Sequence, residues 1–127
     1  MGSTPVPAYQ EISSLAAVVL EESYVLDIEV RPGIVEFSMD FVLTPEHKDF
    51  RPLGPEANYC YRRGQLIFSG VKRCLWSDQG APPARDATGE IDFGNIDSFE
   101  WDDSRYVLQG DWGRMELVAE NVQVRLD

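Results

Sequence analysis

Five carboxylates fall within thirteen residues of one another, at Asp92, Asp97, Glu100, Asp102 and Asp103, and no basic residue interrupts them. Such a set supports four kinds of chemistry. A calcium loop needs oxygen ligands at alternate positions and a glycine at the sharp turn, and "DSFEWDD" has no such pattern. A catalytic pair needs one acid held in an apolar pocket beside another that stays ionised; Phe99 and Trp101 offer a wall, but the acids lie too close in sequence to diagnose a cleft. A docking face combines steering charge with rigid aromatic anchors, and Trp101, Tyr106 and Trp112 flank the acids. A solvated acidic turn is the default against which these stand. Of the functional readings docking ranks first, with Glu100, Trp101, Asp102, Asp103 and Trp112 as the partner-binding residues. No catalytic, cofactor-binding or metal-ligating residue is assigned, and no cofactor is expected.

His47 is the only histidine and sits between Glu46 and Asp49 in a proline-flanked stretch. A hydrolytic site needs a nucleophile and an orienting group beside it, and no nucleophile-elbow motif is present, so an exposed loop histidine is expected. One histidine and two separated cysteines are a thin supply for zinc. Cys60 and Cys74 are expected as free thiols: a hairpin turning at Arg63-Gly64 would leave Cys74 about seven rungs from the partner of Cys60, on the order of 20 Å away. The basic set Lys48, Arg51, Arg62, Arg63, Lys72 and Arg73 is interleaved with Tyr59, Tyr61 and Trp76. It resembles a nucleic-acid surface in composition only, because the rest of the chain is strongly acidic. The glycines of "GQLIFSG" and "QGDWG" lack phosphate-loop spacing.

These residues belong to a chain of 127 residues with a formal charge of −11, 43% hydrophobic and 11% aromatic. That length buries a core without disulfides, and the composition excludes global disorder. The charge disfavours nucleic acid and anionic membranes as partners. It is uneven: residues 1–45 carry seven acids and one base, 46–85 four acids and seven bases, and 86–127 eleven acids and three bases. A basic middle between acidic thirds is expected to neutralise itself in the fold. The start "MGSTPVPAYQ" has no signal-peptide pattern, and the longest apolar run, "LAAVVL", is too short to span a bilayer. A cytoplasmic location follows as the expectation.

Single-domain organisation over 1–127 is expected, with a loose lead-in at 1–7, a helix at 8–22 and antiparallel strands over 24–127. Ile12, Leu15, Ala16, Val19 and Leu20 recur at helical spacing. The period then becomes two. Tyr24, Leu26, Ile28 and Val30 share one face of a strand; after the Pro32-Gly33 turn, Val35, Phe37, Met39, Phe41 and Leu43 share one face of the next. Residues 44–57 and 77–89 read as long loops. "NYCYRRGQLIF" reads as a hairpin turning at Arg63-Gly64, Gly70 as a bulge, and strands recur at 91–93, 98–101, 105–112 and 114–126. In the last the apolar phase slips near Ala119–Asn121, which marks a bulge or bend. The fold class is mainly β (α+β): an antiparallel β-sandwich or partly open barrel with one N-terminal α-helix.

The N-terminal segment, "YVLDIEVRPGIVEFSMDFVL", "YRRGQLIFSGV" and the closing "VAENVQVRL" together resemble small β-rich bacterial proteins of unassigned function, including immunity-type proteins that neutralise toxins. The resemblance implies a binder more than a catalyst, and it transfers no site residue; the acidic aromatic stretch makes a basic protein the expected partner. The alternative is a small-molecule-binding barrel or weak carboxylate hydrolase, its pocket lined by Phe37, Phe41, Tyr59, Phe68 and Trp76, residues that serve a plain core equally well.

Overall fold

The computed structural model describes residues 9–51, 54, 58–79, 84–85 and 91–127, excepting the side chains of 84–85 and 91–92. It contains two four-stranded antiparallel sheets. The first orders its strands β1 (Val18–Arg31), β2 (Ile34–Leu43), β3 (Cys60–Ser69) and β10 (Asn121–Leu126). The second runs β4 (Arg73–Ser77), β9 (Gly113–Val118), β8 (Arg105–Gly110) and β7 (Ser98–Asp102). A two-stranded ribbon pairs β5 (Ala84–Arg85) with β6 (Ile91–Asp92), and β6 lies beside β1. The chain crosses between the large sheets after β3 and again after β9. Among the described residues the strands form no closed barrel, and the two sheets share one core.

Period-two burial explains the best-defined strand. Val35, Phe37, Met39, Phe41 and Leu43 are each fully buried, because β2 is paired on both sides and its inner face meets the second sheet. Phe37 packs edge-on against Trp112 at 5.2 Å and against Phe68 at 6.3 Å, and Phe68 meets Tyr106 at 5.2 Å. These rings join the sheets. Removing an interior phenyl group of this kind forfeits both its transfer free energy and its packing contacts.

The N-terminal helix is not formed. Two 3-10 turns, Tyr9–Glu11 and Ser13–Leu15, stand in its place, and β1 has begun by Val18. The apolar spacing that suits a helix also suits a turn followed by a strand in which Val18 and Leu20 both point inward. Ala17 has φ 62, a left-handed conformation no helix interior accepts. Pairing of Val18 with Leu43 and Val19 with Val42 supplies the ladder that decides between the two. Tyr9 ties this segment down: its ring meets Phe99 at 5.7 Å, its hydroxyl donates to Glu21 Oε1 and accepts from the Leu20 N–H at 3.0 Å.

β1 also departs from simple alternation. Its register with β2 shifts between Val19 and Tyr24 and again between Val25 and Asp27. In the first irregularity Ser23, fully buried, donates its hydroxyl to Val19 O at 2.6 Å and accepts from the Val42 N–H at 2.9 Å. The side chain thus replaces ladder bonds that the bulge removes. As a result Val25, not Tyr24 or Leu26, points into the core, and Tyr24 is turned to solvent.

The second expected hairpin is absent. β3 runs unbroken through Arg63-Gly64 and pairs along its length with β2. Gly64 lies inside a strand because β10 passes so close that a Cβ there would collide with the Arg125 carbonyl. Gly70, φ 61, is part of the crossing to the second sheet and not a bulge. The phase slip at 119–121 has the same cause, because β9 ends in one sheet and β10 begins in the other. At this seam the Lys72 N–H donates to Val118 O at 2.7 Å and the Glu120 N–H to Ser69 O at 3.1 Å. Most of the 77–89 loop lies outside the described residues.

Cys60 and Cys74 are both free, on different sheets, so their separation rests on the topology and not on the hairpin. Burial pushes the Cys74 thiol up. Of the basic middle, Lys72 lies 3.7 Å from Glu120, and the register sets Arg63 of β3 opposite Asp40 of β2. Among the described residues no helix is long and apolar enough to cross a membrane.

Candidate functional site

The acidic stretch occupies β7 and its turn into β8. Alternation along β7 sends Glu100 and Asp102 to the outer face, while Phe99 and the half-buried Trp101 pack against the core. Asp103 has φ 55 in the tight turn joining the two strands, a conformation that Asp tolerates better than most residues. Trp112 is 3% exposed and lies inside. Its indole N–H donates to Asn95 O at 3.1 Å, an approach that Gly110 permits, since a Cβ there would collide with both groups. The structure therefore groups Glu100, Asp102 and Asp103 at the surface, keeps Trp101 half-buried on the wall of the same concavity, and withdraws Trp112 into the core. The side chain of Asp92 lies outside the described residues.

Across the outer face of the second sheet the acids also meet bases. The register sets Asp102 opposite Arg105 and Glu100 in line with Val107, Glu116 and Leu75. Glu116 is bracketed by Arg105 at 2.7 Å and Arg114 at 3.1 Å. Hydrogen bonds from these two guanidinium groups, Arg105 first, hold its carboxyl below the usual carboxylate range. A shallow concavity of about 340 Å³ results, its wall including Glu100, Trp101, Asp102, Arg105 and Arg114, with both arginines paired to Glu116.

The first sheet presents a different outer face. Tyr24, Tyr59 and Tyr61 are 39%, 50% and 42% exposed, three of the five large apolar or aromatic side chains so exposed among the described residues. Tyr24 and Tyr61 stack at 6.3 Å with their planes 27° apart, and Tyr59 meets Tyr61 edge-on at 5.7 Å. β1 and β3 are each one strand removed from the other, and β2 between them carries Val42 outward under the stack, where it is 1% exposed. Burial pushes the Tyr61 hydroxyl up, and the neighbouring Tyr24, Tyr59, Asp40 and Glu22 push it further the same way. Exposed rings and carboxylates are thus neighbours here.

No protein-family model, curated protein or solved structure matches this chain.

The tyrosine cluster escaped sequence reasoning because Tyr24 and Tyr61 are brought together only by strand order. A signal did exist in "NYCYRRGQLIF": with β3 continuous, Cys60, Leu66 and Phe68 share the inner parity and Tyr59 and Tyr61 share the outer one. The alternative pocket residues do not assemble. Phe37, Phe41 and Phe68 are fully buried in the core, Tyr59 is on the outside, and Trp76 is half-buried. His47 accepts the Asp49 N–H on Nδ1 at 3.0 Å within its own loop, and Glu46 accepts from the Thr44 hydroxyl at 2.6 Å. Among the described residues no three His, Cys, Asp or Glu side chains group closely enough to hold a metal ion.

Proposed function

We propose that this is a non-enzymatic protein-binding domain whose tyrosine face docks a basic segment of a partner. The observation that carries the reading is the exposed contact among Tyr24, Tyr59 and Tyr61 beside Glu22 and Asp40. Tyrosine supplies large, rigid contact area at low entropic cost. Its ring face attracts lysine and arginine, and neighbouring carboxylates satisfy the same cation. The formal charge of −11 steers such a partner in from a distance. The immunity-type reading is a special case of this function, in which the partner is a basic toxin.

The test compares two faces in one binding assay. A partner captured from lysate by the intact chain is measured against Tyr61→Ser and against the double change Asp102→Lys with Asp103→Lys. Loss of at least about tenfold in affinity is expected for Tyr61→Ser, with little change for the double variant. The converse result transfers the function to the second sheet and ends this proposal. The association rate of the intact pair falls with added salt if charge steers the encounter.

A further inference from the structure

A second, smaller site lies where the sheets meet, away from both outer faces. Trp76, Trp112, Phe93 and Ile28 line a cleft of about 180 Å³, with Asp27 and Gln79 completing its wall. Backbone bonds build it. The Val25 N–H donates to Gly94 O and the Phe93 N–H to Val25 O, both at 2.8 Å, so residues 93–94 add onto the edge of β1 at its second bulge. The same bulge turns Asp27 outward. Trp76 and Trp112 meet with ring centres 6.5 Å apart and planes at 67°, two walls of a corner.

What the cleft offers a ligand is unusually one-sided. Both indole N–H groups are already spent on backbone carbonyls, Trp76 on Trp112 O and Trp112 on Asn95 O, each at 3.1 Å. The Gln79 amide donates to Trp76 O at 3.2 Å. The rings therefore contribute π surface without a donor, and the charged group is the carboxylate of Asp27. A neutral apolar guest gains nothing from that exposed carboxylate, and an anion meets its like charge. A cation wrapped in methyl groups satisfies both, since aromatic walls bind quaternary ammonium through the ring quadrupole. The volume equals about six liquid waters, enough for a trimethylammonium head.

We propose that this cleft binds a trimethylated ammonium group, either of a free small cation or of a trimethylated lysine side chain. The site is independent of the tyrosine face, and either can fail without the other.

The experiment titrates the full chain with choline and, in parallel, with its neutral isostere 3,3-dimethylbutan-1-ol, following the indole N–H resonances by NMR against matched sodium chloride. Saturable shifts of Trp76 and Trp112 are expected with choline, Trp101 staying still, and the isostere should bind at least about tenfold more weakly. Equal affinity for the two, or shifts that rise linearly without saturation for both choline and the peptide below, overturns the proposal. Asp27→Asn, a surface change that leaves the fold intact, should weaken choline several-fold; unchanged affinity in that variant also overturns it. Trp76→Leu should abolish the shift at Trp112, with a thermal melt confirming that the variant is folded. A short glycine-flanked peptide containing trimethyllysine separates the sources. Binding at least as tight as choline assigns the site to a modified side chain, and exclusion of the peptide while choline binds assigns it to a free cation.

Discussion

The two outer faces of this sandwich treat charge and aromatic surface in opposite ways. On the second sheet, Arg105 and Arg114 close on Glu116, Trp112 is drawn inward and Trp101 is half-buried. On the first, three tyrosines remain in water and touch one another. A face that answers its own charges gains solubility and a few weak ion pairs. A face that leaves rings exposed in contact has given up burial area that a partner can recover. Acid count along the chain therefore does not locate the exposed aromatic surface. On the second face the paired acid is Glu116, outside the acid-rich stretch, and the first face holds the exposed rings.

The comparison assumes that both faces belong to one cooperative body, and the largest expected effect tests that assumption. Phe37→Ala removes a ring that contacts both Phe68 and Trp112, and should lower unfolding free energy by about 3–5 kcal/mol in urea. Tryptophan fluorescence and far-ultraviolet circular dichroism should still trace a single transition; two separate transitions would mean that the sheets unfold as independent units. Gly64→Ala strikes only the first sheet, where the added methyl must displace β10 at Arg125. A loss of about 1–3 kcal/mol is expected, with hydrogen exchange quickening in residues 121–126 and not in β8. Tyr61→Ser should change stability by no more than about 0.5 kcal/mol while reducing partner binding; a large loss of stability would recast the tyrosines as structural. The smallest effect belongs to Glu116→Gln. Because the folded state holds this carboxyl below its ordinary value of 4.5, its contribution is present above that pH and is lost as pH falls through the lowered value. The variant should therefore lose less stability on acidification than the parent, measured by melts across the acid range.

How far the sequence disclosed this arrangement depended on how strictly each strand alternates. β2 was legible in full, because a central strand with one inner face must show the pattern that Val35 to Leu43 displays. β1 was not, because two bulges shift its parity, and the residue that makes the first one tolerable is a serine buried for its hydroxyl. β3 was misread at Gly64 because glycine in a strand looks like a turn until the neighbouring chain that needs the space is known. For the candidate site, parity alone separates Trp101 from Glu100 and Asp102. The contact of Tyr24 with Tyr61 has no trace in local sequence, since it depends on which strands become neighbours.

Tyr9 gives the sandwich an acid–base latch. The covalent crossings join β3 to β4 and β9 to β10, which makes a spine along the edges formed by β4 and β10. At the opposite edges, β1 and β7, this phenol rests its ring on Phe99 and serves Leu20 and Glu21 with its oxygen, beside the bonds that Phe93, Gly94 and Asn95 make to β1. Burial, and then the bond to Glu21, raise its ionisation above the ordinary value of 10.0. The latch is therefore shut at every pH below that value and releases only as alkali overtakes the raised one. Release there loosens one corner and leaves the edge of β1 held by its bonds to Phe93, Gly94 and Asn95.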